Sequence, residues 1–94
     1  EQDQIMQEEG VVFAVHKANI DYLKPAYFND VLHVQVMISK YGRASIVFAQ
    51  KVYRDEGEII CYGEVKVVCV DVKNFTPQPM PEPIFIKVES GAKN

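Results

Sequence analysis

From residue 11 onward the chain alternates apolar and polar positions with a period of two, the pattern of half-buried strands. Residues 11–23 predict a first strand with Val12, Ala14, Ala18, Ile20 and Tyr22 on one face, interrupted only by His16. Its other face is apolar at the start, through Val11, Phe13 and Val15, and polar later, through Lys17, Asn19 and Asp21. A strand that is apolar on both sides at one end is expected where a partner covers it. Residues 31–41 predict a second strand, with Leu32, Val34, Val36 and Ile38 opposed to His33, Gln35 and Ser39. Residues 44–53 predict a third, in which Ala44, Ile46, Phe48 and Val52 share a face. Residues 59–72 predict a fourth, with Ile59, Cys61, Val65, Val67 and Cys69 on one side. Glu64 and Lys66 stand on its other side, which Val68, Val70 and Val72 make apolar toward the end, pointing to a central place in the sheet or a subunit contact.

The connections carry turn chemistry. Pro25 fixes its own φ and holds Lys24 extended, so the first strand leads into a rigid crossing that turns at Asn29 and Asp30. Gly42 and Arg43 make a short link, and Asp55, Glu56 and Gly57 supply a hairpin turn. Pro77, Pro79, Pro81 and Pro83 argue against further ladder or helix, which predicts an extended arm ending in a frayed tail over residues 90–94. Residues 1–9 are polar helix formers, and Gly10 stands where a C-terminal cap belongs, so the segment reads as the last turns of a helix. Four strands with one apolar face each need a covering layer. No segment of the 94 residues is long and apolar enough to supply it, which predicts an incomplete or processed chain.

Composition narrows the class. Ninety-four residues, 48% of them hydrophobic, fit one small domain. The apolar runs are too short for a spanning helix, and no charged-then-apolar leader opens the sequence, so a soluble cytoplasmic protein without stable membrane insertion is expected. A net charge of −3 disfavours nucleic acid as a partner, because that binding relies on clustered Lys and Arg against phosphates. Cys61 and Cys69 lie eight residues apart along one predicted strand, about 26 Å at strand rise, so they cannot bridge and read as small core residues. Two cysteines without CxxC spacing and two distant histidines make no metal set.

Gly10 to Val15, the segment D-Y-L-K-P-A-Y-F-N-D at residues 21–30, Gly42-Arg43-Ala44-Ser45, and Val67 to Asp71 together resemble successive landmarks of the hotdog-fold acyl-CoA thioesterases. The closest likeness is to the branch that joins 4-hydroxybenzoyl-CoA thioesterases and the Tol-Pal-associated acyl-CoA thioesterases. The resemblance implies an α+β hotdog fold, an antiparallel sheet wrapped around a central helix. Residues 1–94 would then form a single, N-terminally incomplete domain lacking the first strand, the catalytic loop and most of that helix. It also implies that residues 11–23 form a dimer-edge strand within a homodimer or homotetramer.

The family's catalytic carboxylate is an Asp in the loop between the first strand and the helix. It acts as nucleophile or general base at the thioester carbonyl, assisted by N–H donors at the helix N-terminus. No residue here matches that motif, so no catalytic residue is assigned within the chain. Asp21 and Asp30 read as turn and solvent-facing groups, and Asp71 as a strand end bonded to its turn. His16 reads as a satisfied core or interface histidine before it reads as a base.

By the same resemblance, Arg43 and Ser45 meet the coenzyme A phosphates and pantetheine arm, which a planar guanidinium and a hydroxyl suit. The alternative for both is a solvated hairpin tip. Val12 and Phe13 match the border of the acyl pocket, with core packing as the alternative. Lys17 and Lys51 are auxiliary phosphate candidates or simply solvated lysines. The implied activity is hydrolysis of an acyl-CoA, or of an acyl carrier protein thioester, to free acid and thiol, with no cofactor or metal. A noncatalytic acyl-thioester-binding or oligomerisation module is the alternative, and a hydratase on the same fold is a third reading.

Overall fold

A computed structural model describes residues 10–93 as one antiparallel sheet with a helix packed on one end of it. Its strands are β1 (Val11–Tyr22), β2 (Leu32–Tyr41), β3 (Ser45–Arg54) and β4 (Ile59–Asp71), and the helix α1 spans Glu82–Ala92. All four predicted strands are present. Their spatial order is β1-β4-β3-β2, so β4 is central, as its two-sided apolar end anticipated. β1 and β2 are the two edges, joined by the crossing at residues 23–31.

Arg54 holds that crossing in place. Its Nε donates to Asp30 Oδ2 at 3.2 Å, its Nη1 to Glu58 Oε1 at 2.6 Å, and Nη2 to the Pro25 carbonyl. Its guanidinium also sits 5.5 Å from the Tyr27 ring centroid. Asp30 completes the turn by accepting from Tyr27 N at 2.7 Å, the turn role expected of it.

The faces differ from simple alternation at three bulges. In β1 the register shifts between Val15 and Lys17, leaving His16 as the extra residue. Val11, Phe13 and Val15 therefore share a face with Ala18, Ile20 and Tyr22, where the sequence pattern placed Val12 and Ala14. His16 interrupts the pattern because it is the bulge, and it is exposed. In β2 a shift at Ser39 turns Tyr41 onto the Ile38 face, and opposite Val52 and Tyr53 a shift in β4 buries Ile60 in preference to Ile59. The resulting inner face carries Val11 and Phe13 from β1, Val67 and Cys69 from β4, Ile46 and Phe48 from β3, and Ile38 and Tyr41 from β2.

The segment after β4 departs from the expected arm. Its alternating prolines leave N–H groups on Gln78 and Met80, and both are bonded, to the Cys69 and Arg43 carbonyls at 2.9 and 2.8 Å. Pro77 bridges Val70, continuing the sheet along the edge of β4 beyond the start of β3. The chain then forms α1, contrary to the expectation of no further ladder or helix. Pro83 lies in the first turn, where its missing N–H costs nothing and its fixed φ suits the helix. Ile84 and Val88, four residues apart, bury one stripe against Val11, Ile46, Cys69 and Met80. Burial of such side chains contributes roughly 1.5–3 kcal/mol each.

α1 covers only one end of the inner face. Toward the other end Tyr22 is 79% exposed and Val34 66%, with Ile20 and Val36 also open among the described residues. The helix expected over residues 1–9 lies outside the described residues; Gly10 itself has φ +70°, a left-handed conformation that favours glycine.

Candidate functional site

Between the covered end of the inner face and α1 lies an apolar cleft of about 370 Å³. Phe13, Ile38, Ile46, Phe48 and Val67 form its floor, and Ile84, Lys87 and Val88 its helical wall. Such a lining accepts hydrocarbon or an aromatic ring, and Lys87 is the one charged group on it. A larger cleft of about 570 Å³ opens between the crossing and Leu32, Val52, Ile60 and Cys61, at the uncovered end of the same face.

The β2–β3 hairpin stands beside α1. Arg43 places its guanidinium carbon 4.2 Å from the Phe85 ring centroid and Nη2 3.8 Å from Glu82 Oε1, while its carbonyl takes the Met80 N–H. The side chain remains 58% exposed, so the guanidinium sits over an aromatic ring while staying accessible to an anion. Tyr41 packs edge-on to the same ring at 5.8 Å, and its hydroxyl approaches Glu89 Oε2 at 3.5 Å. Ser45 is half-buried at the start of β3, its carbonyl accepting from Gly42 N at 2.9 Å.

The structure separates the four residues singled out from the sequence. Phe13 is in the cleft floor, whereas Val12, its neighbour on an extended strand, points to the opposite face and pairs with Val70. Arg43 and Ser45 share the hairpin, but only Arg43 is tied to α1. Ile84, Phe85 and Val88, which complete the site, escaped the sequence reading because the prolines before them masked a helical spacing.

The remaining titratable groups have structural explanations. Burial pushes the Cys69 thiol up, which removes it as a thiolate nucleophile, and both cysteines are free. Asp71 is held below the usual carboxylate range by the Thr76 hydroxyl and by backbone N–H donors from Asn74, Thr76 and Lys73. Its oxygens accept from Asn74 N at 2.6 Å and Lys73 N at 3.0 Å, confirming a turn role. Among the described residues, no cluster of His, Cys, Asp and Glu could hold a metal, and no helix is long and apolar enough to cross a membrane.

A four-stranded antiparallel sheet with a helix packed on its apolar inner face is an α+β arrangement of the hotdog type. Residues 4–61 match the thioesterase superfamily, and the chain belongs to that family. It is 35% identical over 81 residues to the acyl-CoA thioester hydrolase YbgC of Escherichia coli O6:H1, covering 86% of this chain and 60% of that protein. The acyl-CoA thioesterase YbgC of Haemophilus influenzae is 30% identical over 83 residues, covering 88% and 60%. The chain thus spans about 60% of the length of these curated relatives. A Staphylococcus aureus protein solved in complex with CoA shares the fold with a TM-score of 0.90 at 15% identity, covering 97% of this chain and 58% of that one.

Proposed function

We propose that the intact protein is a cytoplasmic acyl-CoA thioesterase, with water adding at the thioester carbonyl and the acyl–sulfur bond breaking to give a free acid and coenzyme A. The observation that carries this reading is the apolar cleft over Phe13 beside an open, aromatic-backed Arg43, in a chain 35% identical over 81 residues to an acyl-CoA thioester hydrolase. The acyl group lies against Phe13, Ile38 and Phe48, and the phosphates of coenzyme A meet Arg43, with Ser45 as a hydrogen-bonding neighbour. Val12, on the other face, serves strand packing rather than acyl contact.

In this reading the nucleophile or general base is an Asp ahead of Glu1, in a loop leading into a helix that covers the open end of the inner face. Ile20, Tyr22, Val34 and Val36 support that placement, since they form one apolar surface that the described elements leave bare. Among the described residues β1 is an edge strand, which supports pairing with a second copy, giving a homodimer or a dimer of dimers.

The test is to identify the Asp in that loop and change it to Asn in the intact protein. Loss of turnover by about 10²-fold or more with little change in KM is expected of a general base or nucleophile. Unchanged turnover would overturn the assignment, and binding without turnover by the wild type would favour the noncatalytic alternative.

A further inference from the structure

On the outer face of the sheet, away from the apolar cleft, one straight row crosses all four strands. Lys17 of β1 stands opposite Lys66 of β4, Lys66 opposite Val47 of β3, and Val47 opposite Lys40 of β2. Directly opposed residues have Cβ atoms about 4.5–5.5 Å apart, so Lys17 and Lys66 form a like-charge pair that disfavours the sheet. Two of the three lysines reach this face only because of bulges. With His16 in regular alternation Lys17 would point inward, and without the shift at Ser39 so would Lys40. Two edge strands therefore bulge at the same level and bring cations into line, the re-aiming of side chains for which bulges are known.

The lysines and His16, with Asn19, Val47 and Glu64, wall a polar cleft of about 370 Å³. Val47 is 9% exposed on this face, flanked by the Lys40 and Lys66 stems. Glu64 is the one carboxylate on the wall. Among the described residues no ion pair joins it, or any other carboxylate, to Lys17, Lys40 or Lys66. Three lysines without a carboxylate partner among the described residues thus face a single cleft on a chain whose net charge is −3.

We propose that this row is an anion site for a phosphate-bearing ligand, a diphosphate or phosphate ester whose oxygens bridge Lys17, Lys66 and Lys40. A bound phosphate relieves the Lys17–Lys66 repulsion, and the spacing across the strands suits two linked phosphoryl groups better than one compact anion. The ligand is either the phosphate portion of a coenzyme A thioester or a separate phosphate compound. The site does not depend on the thioesterase reading.

The test is calorimetric titration of the intact protein with inorganic pyrophosphate at low ionic strength, for the wild type and for Lys66→Gln, Lys17→Gln and Lys73→Gln. Binding that weakens with added salt, falls about tenfold in each of the first two variants and is unchanged in Lys73→Gln is expected. No binding by the wild type, or binding as tight as wild type by both Lys66→Gln and Lys17→Gln, overturns the site. Removal of one of two opposed charges leaves the urea midpoint unchanged or raised, which checks that the variants are folded. Given that pyrophosphate result, a matching rise in KM for an acyl-CoA in Lys66→Gln identifies the substrate's own phosphates as the ligand, whereas an unchanged KM identifies a separate phosphate compound. Pyrophosphate binding in a protein that hydrolyses no thioester would sink the proposed activity and leave this site standing.

Discussion

The Arg43 guanidinium lies 4.2 Å from the centroid of the Phe85 ring, joining the β2–β3 hairpin to the helix that walls the apolar cleft. This contact fixes where a cation stands relative to the apolar cleft. An exposed cation–π pair is worth about 0.5–1 kcal/mol, enough to orient a side chain without hiding its charge.

Arg43→Ala should therefore raise the KM for an acyl-CoA more than it lowers kcat, by about tenfold or more if one charged hydrogen bond to phosphate is lost. Arg43→Lys should recover only part of the effect, since an ammonium lacks the planar fork that sits over Phe85. Steady-state kinetics of the intact protein decide it, and an unchanged KM in Arg43→Ala removes the residue from the binding site.

Gly63 of β4 stands opposite Ile20 of β1. A Cβ there would lie 2.2 Å from the Asn19 carbonyl oxygen and 3.0 Å from Ile20 Cα, both backbone atoms that cannot swing aside. Gly63→Ala should cost about 1–3 kcal/mol, the usual range for overpacking, and lower the urea midpoint of the intact protein. A midpoint equal to wild type would contradict this close approach of the strands.

Ile84 is 4% exposed and holds α1 to the sheet together with Val88. Ile84→Ala should destabilise by about 2–5 kcal/mol and speed amide exchange over residues 82–92 before that of β4. Exchange that rises equally in every element would show that α1 is not a separately detachable wall.

Asp71 contributes stability that depends on pH. Its folded-state pKa is depressed by the Thr76 hydroxyl and three turn N–H donors, so the contribution is complete above the unfolded value and is lost as pH falls through the folded one. Asp71→Ala should have a lower urea midpoint than wild type at neutral pH, with the gap closing in acid. A gap that persists undiminished below the carboxylate range would assign the effect to something other than the charge.

The strands were legible because period-two alternation is strong in Leu32, Val34, Val36 and Ile38 and in Val65, Val67 and Cys69. Bulges were not legible, because one inserted residue looks like one ordinary defect in the pattern, as at His16. The face assignment in β1 failed for that reason, and with it the row of lysines went unseen. α1 was missed because four prolines in seven residues outweighed the Ile84–Val88 spacing, although the last of them occupies the one helical turn that tolerates proline. Phe13 and Arg43 were singled out through the resemblance, whereas their common attachment to α1 required the fold.

The central claim is that the cleft over Phe13 belongs to an acyl-CoA thioesterase, and the most direct measurement is thiol release by the intact protein from benzoyl-, short- and long-chain acyl-CoAs. Saturable release with at least one of these, and a changed preference among them in Phe13→Ala, is the predicted result. No release from any of them, or an identical preference in the variant, would contradict it.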